Sequence, residues 1–376
     1  ISTRDPLQVA RELAPEIAAA AAETEAGGEL PRELAARIAD AGLFRLLVPR
    51  SLGGAELDQP TYVRVIEELA RADASTAWCV NQCAVFATNA AFLARDVAES
   101  IWAEPRAVVA NGPSPTAQAV PVEGGFRVTG RWAFSSGIAH ATWLAGLCNV
   151  VGDGEPVVRH MLFPKAAARV IEHWDVAGLR GTGSHHFAVE DLFVPHERTV
   201  WTYGDEPVER GPLYLYPMIL LFGAGFACVA LGIARASLDA LYERAATRVP
   251  RGMPVSREQP LVQMQVGEAE AVLRAARAWH YETVTQVWDD VSRTHELTLE
   301  HRVRLRLAAT HAIRSAARTV DTVYDVFGAE GIYAQSPIQR RFQDMHVVTQ
   351  HIQARLAHYE SAGRYFLGLE PDTRWL

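Results

Sequence analysis

The stretch from Gly130 to Trp143 reads GRWAFSSGIAHATW and places aromatic, hydroxyl and imidazole side chains close together in the chain. It follows two short alternating runs that meet at Gly124-Gly125. Paired glycines supply the positive φ angles of a tight hairpin, so the stretch is expected to lie in a β region. Such a strand either presents Trp132 and Phe134 to a flat aromatic ligand or buries both rings in its core, as half-buried strands commonly do.

Apolar periodicity divides the 376 residues into three parts. Residues 1–106 show helical spacing and predict an N-terminal helical domain. Residues 107–210 hold short runs of Val, Phe, Leu and Trp between Gly, Pro and Asp, which predict a central antiparallel β barrel or sandwich. Residues 211–376 return to helical spacing, with long helices expected at about 213–249, 258–293, 296–327 and 336–368, and these predict a C-terminal four-helix bundle. The fold class is therefore mainly α with a β domain.

Composition excludes several classes of function. A net charge of −8 and a pI near 5.9 argue against a nucleic-acid surface. No uncharged apolar run reaches the length of a membrane span, and the richest candidate, Leu213–Leu231, is interrupted by Pro217. No export signal is recognisable and the four cysteines show no disulfide framework, so we expect buried free thiols and a cytoplasmic location. The arginines from Arg302 to Arg318 are interpreted as a solvated or subunit-facing surface.

Several common motifs are missing or incomplete. Gly223-Ala224-Gly225 begins like a dinucleotide fingerprint, but it lies inside a long predicted helix with no strand before it, which indicates close packing instead. The sequence therefore offers no site for a nicotinamide cofactor. His346 and His351 are five residues apart and do not share a helix face, so no metal site is predicted.

A second dense stretch, residues 178–186, reads GLRGTGSHH. Its glycines, Thr182 and Ser184 can offer amides and hydroxyls to a phosphate or to the edge of a flavin. A turn without any ligand explains the same glycines equally well.

The order of helical domain, β domain and four-helix bundle resembles the acyl-CoA dehydrogenase fold superfamily. Residues 130–137 match that superfamily's flavin-wall strand, and LRGTGS at 179–184 with VEDLFVP at 189–195 matches its next signature. VFGAEG at 326–331 stands where the family has a glycine-rich turn that reaches the flavin of a neighbouring subunit. The resemblance covers essentially the whole chain and implies a homotetramer.

The catalytic glutamate of the dehydrogenases has no counterpart here. His351 and Ile352 stand at its usual place, and the alternative place early in the bundle falls near Phe222. Without such a base, proton abstraction from an acyl chain loses its main catalytic term. The chain instead resembles the two-component flavin-dependent monooxygenases of this fold, also termed group D hydroxylases.

That resemblance implies a cofactor and a partner. A separate NAD(P)H-dependent flavin reductase would supply reduced flavin, FMNH2 or FADH2, which reacts with O2 to give a C4a-hydroperoxide. The expected reaction is hydroxylation of a small aromatic, heteroaromatic or amine substrate.

The resemblance also assigns residue roles. Ser136 would hydrogen-bond near flavin N5, and His351 would steady or protonate the peroxide as an imidazole that titrates near neutrality. The residues expected to bind the cofactor are Trp132, Phe134, Ser135, Ser136, Thr182, Ser184, Phe327, Gly328 and Gly331.

The substrate is less defined. Several phenol hydroxylases of this group carry a His on the third helix, where this chain has Cys83-Ala84-Val85, so a phenol is not favoured. Candidate pocket residues are Asn81, Gln82, His140 and His185. Two alternatives stay open: an acyl-CoA dehydrogenase-like or oxidase-like flavoenzyme, and a catalytically silent flavin-binding subunit.

Overall fold

A computed structural model describes residues 4–152, 157–201 and 204–376. The helices are α1 Pro6–Gly27, α2 Arg32–Asp40, α3 Gln59–Ala72, α4 Ala74–Phe86, α5 Arg95–Trp102, α6 Met218–Thr247, α7 Pro260–Thr294, α8 Leu299–Phe327, α9 Pro337–Gln350 and α10 Ala357–Phe366. The strands are β1 Val109–Gly112, β2 Gln118–Val122, β3 Gly125–Trp132, β4 Trp143–Val150, β5 Val157–Pro164, β6 Arg169–Ile171, β7 His186–Pro195 and β8 Thr199–Val200.

The chain forms two compact units. The first contains Ile1–Asp58, Trp78–Asp175 and Arg180–Met218, and the second contains Gln59–Ala77, Val176–Leu179 and Ile219–Leu376. Secondary structure follows the predicted order of helices, strands and helices. The compact units follow packing instead: α1, α2, α5 and most of α4 share a unit with the strands, whereas α3 and the first residues of α4 join the C-terminal helices.

The strands of the first unit form one mixed sheet in the order β6-β7-β3-β2-β4-β5-β8, with β1 also paired to β4. The predicted hairpin is confirmed: β2 and β3 pair antiparallel and meet at Gly124, whose φ of 75° suits glycine. One feature differs from the antiparallel prediction, because β4 runs parallel to both β1 and β2. Apolar periodicity along a strand predicts which face is buried, but it does not predict whether the neighbouring strand runs parallel or antiparallel.

The second unit is built on α6, which is almost entirely apolar. Among the described residues, α6 is the helix whose length and composition would suffice to cross a membrane, and 89% of its most apolar window is buried inside the protein. Gly232 on α6 lets α3 approach closely, since a Cβ there would lie 2.5 Å from the Cβ of Ala70. The Nε atom of Arg277 on α7 contacts Oε1 of the buried Glu67 on α3 at 2.7 Å.

The fourth bundle helix predicted over 336–368 is interrupted. It ends as α9 at Gln350, His351 adopts an extended conformation with φ −67° and ψ 149°, and α10 begins only at Ala357. No Gly or Pro occurs between 338 and 362, so the sequence gives no local signal for the break. The break is held from α8, where Arg314 Nε donates to the carbonyl of Ala354 at 2.9 Å.

Candidate functional site

Three hydroxyl groups of the first unit form a buried chain that includes Ser136. The Oγ atoms of Ser136 and Ser184 are 2.7 Å apart, and Ser184 Oγ is 2.7 Å from Thr182 Oγ1. The indole Nε1 of Trp78 on α4 donates to Ser136 Oγ at 3.0 Å. The backbone N–H of Gly137 donates to the carbonyl of Thr182 at 2.8 Å and fixes the two loops together.

This chain of hydroxyls alters the roles predicted for Thr182 and Ser184. Their side chains are 1% and 2% exposed and bond to one another and to Ser136. Because an indole N–H can only donate, Trp78 occupies a lone pair of Ser136 and leaves the Ser136 hydrogen for another acceptor. Thr182 therefore orients the Ser184 hydroxyl, and Ser184 in turn orients the Ser136 hydroxyl.

Phe134 lies two residues beyond the end of β3 and points outward. It is 58% exposed and has a φ of 56°, a conformation that is uncommon for a bulky residue. Its ring meets Trp174 edge to face, with centroids 6.2 Å apart and an interplanar angle of 87°. Adjacent to it, the Oγ of Ser135 is buried and has no hydrogen-bond partner among the described residues. An exposed ring, braced by a second ring and beside an unsatisfied hydroxyl, fits a flat aromatic ligand with polar edges, as a flavin is.

Trp132 does not take the place predicted for it. Its side chain is fully buried, its ring stacks on Phe187 with centroids 4.9 Å apart, and its Nε1 donates to the carbonyl of Leu147 at 2.9 Å. A Cβ at Gly146 would lie 2.8 Å from the indole, so the strand leaves room for this ring. Trp132 therefore belongs to the sheet's core, whereas Phe134 lies beyond the end of β3 and turns outward with its positive φ.

The four predicted pocket residues lie in the first unit in different surroundings. Asn81 is fully buried, and Gln82 Nε2 donates to Asn111 Oδ1 at 2.6 Å. His140 has a buried Nε2 without a hydrogen-bond partner among the described residues, and burial lowers its pKa. His185 accepts from the backbone N–H of His173 at 3.1 Å. A surface cavity of about 440 Å³ is lined by Glu172, His173, Trp174, Asp175 and His185.

His351 lies in the second unit at the break after α9. Its Nδ1 accepts from the backbone N–H of Gln353 at 3.3 Å, so the imidazole caps the short turn Ile352–Ala354. The ring packs edge to face on Phe226 of α6, with centroids 4.7 Å apart. Burial, followed by the charges of Arg306 and Arg355, lowers the pKa of His351 to about 4. The expectation of a group titrating near neutrality is therefore wrong: His351 is a neutral imidazole whose remaining hydrogen is on Nε2.

The glycine-rich turn after α8 also lies in the second unit. Phe327 is largely buried beneath the guanidinium of Arg244, and Gly328 has a positive φ of 61°. Gly331 packs closely, since a Cβ there would lie 3.2 Å from the carbonyl of Gly328. A cavity of about 360 Å³ next to the turn is lined by Ala240, Glu243, Arg244, Phe327, Ser336, Pro337 and Ile338.

Neither place at which the dehydrogenases carry a glutamate offers a carboxylate. His351 stands at one of them, and Phe222, near the other, stacks on Phe226 with centroids 5.8 Å apart. Gly223 next to it packs closely as predicted, because a Cβ there would lie 3.0 Å from Arg306 Nη1. Within residues 4–152, 157–201 and 204–376, no cluster of His, Cys, Asp and Glu has the makeup of a metal site.

Three residues of these sites were not predicted from the sequence. Trp78 and Trp174 belong to no motif. A tryptophan on the helix beside the hydroxyls and another on the nearby loop could still have been recognised as candidates for the site. Arg306 was grouped with solvated arginines, yet its side chain is 1% exposed. Because α8 contains many arginines, the sequence did not distinguish the buried Arg306 from the others.

Comparison with known proteins agrees with these features. Residues 7–93 match the model of the acyl-CoA dehydrogenase N-terminal domain, and residues 224–356 match that of its C-terminal domain. An indole-3-acetate monooxygenase of Pseudomonas putida is 36% identical over 343 residues, which cover 89% of this chain and 86% of that protein. Other relatives are named as the oxygenase subunit of a flavin-dependent monooxygenase and as oxygenase components of an FADH2-dependent resorcinol hydroxylase and a p-hydroxyphenylacetate 3-hydroxylase.

Solved structures show the same fold along the whole chain. The crystal structure of 3-HSA hydroxylase from Rhodococcus sp. RHA1 has a TM-score of 0.93 at 26% identity and covers 100% of this chain and 99% of that one. XiaF from Streptomyces sp., in complex with FADH2 and glycerol, has a TM-score of 0.91 at 25% identity, covering 99% and 97%.

Proposed function

Because the chain belongs to the acyl-CoA dehydrogenase family and, within it, to the flavin-dependent monooxygenases, we propose that it hydroxylates an electron-rich heteroaromatic ring of the indole class. The chain is an oxygenase component that uses reduced flavin and O2. Reduced flavin supplies two electrons, so that one oxygen atom enters the substrate and the other leaves as water.

The observation that carries the substrate class is the chemistry of α4. This helix contains no His, Asp, Glu or Lys between Ala74 and Phe86, and burial raises the pKa of the Cys83 thiol to about 12. A phenol becomes strongly nucleophilic only when a base removes its proton. An indole ring needs no such step, because its nitrogen lone pair already enriches the ring carbons. The name of the Pseudomonas putida relative agrees with this class.

We assign the flavin ring to Phe134 and Trp174 in the first unit. Phe134 offers an exposed ring, and Trp174 braces it edge to face. The buried Ser135 hydroxyl lacks a partner among the described residues and would accept or donate one hydrogen bond to the flavin. Ser136, oriented by Trp78 and Ser184, would donate its hydroxyl hydrogen.

Further roles fall to the second unit. His351 would donate from Nε2, because Nδ1 already accepts from Gln353. Phe327, Gly328 and Gly331 would reach the flavin of a neighbouring subunit in a homotetramer, with Arg244 beside them. A cation next to a cavity suits a phosphate group, which both FMN and FAD carry.

A separate flavin reductase follows from the two-component relatives. We propose that it draws on NAD(P)H, since the chain itself offers no dinucleotide fingerprint. All four cysteines are free and buried, as predicted, which fits a reducing compartment and a cytoplasmic location.

The proposed substrate class is tested by comparing an indole with a phenol as the substrate. The protein is mixed anaerobically with reduced FMN or reduced FAD, then with O2 and either indole-3-acetate or p-hydroxyphenylacetate, and the product and hydrogen peroxide are quantified. We expect 18O from O2 in a hydroxylated indole, with peroxide as the main product when the phenol is offered. Hydroxylation of the phenol in preference to the indole would overturn the substrate class.

A matched pair of variants tests the flavin assignment. Phe134→Ala removes the exposed ring, and Val122→Ala removes an exposed apolar side chain from β2. We expect Phe134→Ala to weaken binding of reduced flavin about tenfold and Val122→Ala to leave it unchanged. Equal affinities in both variants would contradict the assignment.

A further inference from the structure

Arg306 is a buried cation one helix away from His351. It projects from α8, is 1% exposed, and its Nη1 donates to Oε1 of Gln353. Its Nε donates to the carbonyl of Trp375 at 2.7 Å, and its Nη2 donates to the carbonyl of Ile219 at 3.0 Å. These three acceptors are neutral oxygens, and they hold the guanidinium in place.

Gln353 links this cation to the imidazole. Its side chain accepts from Arg306, while its backbone N–H donates to His351 Nδ1 at 3.3 Å. A neutral imidazole that accepts at Nδ1 carries its hydrogen on Nε2. The position of Gln353 therefore decides which nitrogen of His351 is the donor.

Helix α6 is shaped to accept both groups. Gly223 leaves the space that the guanidinium fills, since a Cβ there would lie 3.0 Å from Arg306 Nη1 and 3.2 Å from Gln353 Oε1. Phe226, three residues further along α6, packs against the imidazole. Residues three apart lie on the same helix face, so one face of α6 holds both ends of the link.

We propose that Arg306 is a positioning residue for His351, acting through Gln353 to hold the imidazole as the Nε2–H tautomer and so to present a fixed hydrogen-bond donor. The inference rests on the proposed function only for the identity of the group that accepts this hydrogen bond from His351. The placement of Arg306, Gln353 and His351 stands within the second unit.

Charge acts in the same direction as geometry. His351 feels the charges of Arg306 from α8 and of Arg355 from the segment after the break, and the α6 face against it presents the apolar Phe226. Protonation would place a cation near two others and would remove the Nδ1 acceptor that caps residues 352–354. The Nε2 of His358 donates to the Ile352 carbonyl at 2.7 Å, and burial together with the same arginines lowers the pKa of His358 to about 4.

The test separates charge from packing with four variants. Arg306→Gln removes the cation, Arg306→Lys keeps it with fewer donors, and Gly223→Ala presses on the link from α6 without touching the imidazole. Arg304→Gln, two residues away on α8, is the matched control because Arg304 bonds to Gln286 on α7. Nitrogen NMR of histidine-labelled apoprotein reports the tautomer and titration of His351, which is assigned by its absence in His351→Asn.

We expect one Nε2–H tautomer and no titration of His351 from about pH 5 to about pH 8 in the unaltered protein and in Arg304→Gln. Arg306→Gln should show mixed tautomers, a titration inside this range, and an approximately tenfold rise in peroxide release that grows as the pH falls. Arg306→Lys should restore most of the flat pH profile. Gly223→Ala should mix the tautomers while adding little titration, since the charge remains.

Arg306→Gln with a single Nε2–H tautomer and a flat profile would overturn the proposal. The NMR measurement needs no flavin, so it tests the positioning role of Arg306 separately from the proposed hydroxylation. A fixed tautomer in a protein that forms no hydroxylated product would refute the proposed function and leave the positioning role intact. Loss of folding in Arg306→Gln leaves Gly223→Ala and Arg306→Lys to decide.

Discussion

The backbone N–H of Leu179 donates to Oδ1 of Asp344 at 2.6 Å in the interior of the second unit. Leu179 has a φ of 51°, which is costly for a side chain of its size, and both residues are almost fully buried. Gly178 packs directly on α9, since a Cβ there would lie 2.3 Å from the backbone of Gln343. Asp344 thus fixes the strained residue that immediately precedes the Arg180–Thr182 turn.

Removing this acceptor should weaken the fold. Asp344→Ala leaves a buried N–H without its carboxylate and is expected to lower the free energy of unfolding by about 1–3 kcal/mol. Asp344→Asn keeps an acceptor oxygen and should lose less. Urea denaturation measures both, with Asp325→Asn on the exposed side of α8 as the control. Equal stability of Asp344→Ala and the unaltered protein would show that the bond does not hold Leu179.

Local patterns predicted the elements of this chain better than its contacts. The Gly-Gly hairpin, the order of helices and strands and the close packing at Gly223 all follow from period and residue size, which act over a few positions. The break at His351 could not be predicted, because no Gly or Pro marks it and the forces that hold it come from Arg306 and Arg314 on another helix.

The surroundings of the predicted site residues depend on packing that strand patterns and motifs do not report. Trp132 and Phe134 are two residues apart and point to the same side in an ideal strand, but β3 ends at Trp132 and Phe134 turns outward with a positive φ. Motif comparison named Thr182 and Ser184 as ligand contacts, whereas hydroxyls that bond one another do so in any buried polar cluster. The pKa of His351 depends mainly on its burial, and then on the charges of Arg306 and Arg355, and the burial comes from tertiary packing.

Coupling between Trp78 and Ser136 can be measured directly. Trp78→Phe keeps an aromatic ring but removes the Nε1 donor, and we expect a coupling energy with Ser136→Ala of about 1 kcal/mol in a double-mutant cycle. Trp102→Phe, an equally conservative change in a buried tryptophan of α5, should be additive with Ser136→Ala. Free energies of unfolding supply the cycle. Additive effects of Trp78→Phe and Ser136→Ala would contradict the hydrogen bond's role.

The cavity beside Arg244 offers a way to distinguish the two flavins. If the adenine end of a neighbouring subunit's flavin is held here, Arg244→Gln should weaken FAD about tenfold and change FMN affinity less than about twofold. Equilibrium dialysis of each flavin gives the affinities. Arg274→Gln on the surface of α7 is the charge-matched control. Equal weakening of both flavins would instead place a phosphate common to the two beside Arg244.

Four histidines with lowered pKa values should make this fold sensitive to acid. Burial lowers the pKa values of His160, His280, His351 and His358 to about 4, from a usual value of 6.5. Between these two values the unfolded chain binds more protons than the folded one, so stability is retained above about pH 6.5 and lost as the pH falls towards 4.

Each such histidine adds up to about 1.4 kcal/mol per pH unit to the slope of unfolding free energy against pH. Urea denaturation at about pH 7, 6 and 5 measures that slope. His280→Gln removes one of the four and should flatten the curve, whereas His295→Gln alters an exposed residue at the end of α7 and should leave the slope unchanged. His280 is the best of the four to substitute, because it is fully buried against α6 and is assigned no part in binding or hydroxylation. A His280→Gln protein with an unchanged slope would mean that His280 is protonated in the folded state, and that its contact with the Ala224 carbonyl outweighs the cost of burying a charge.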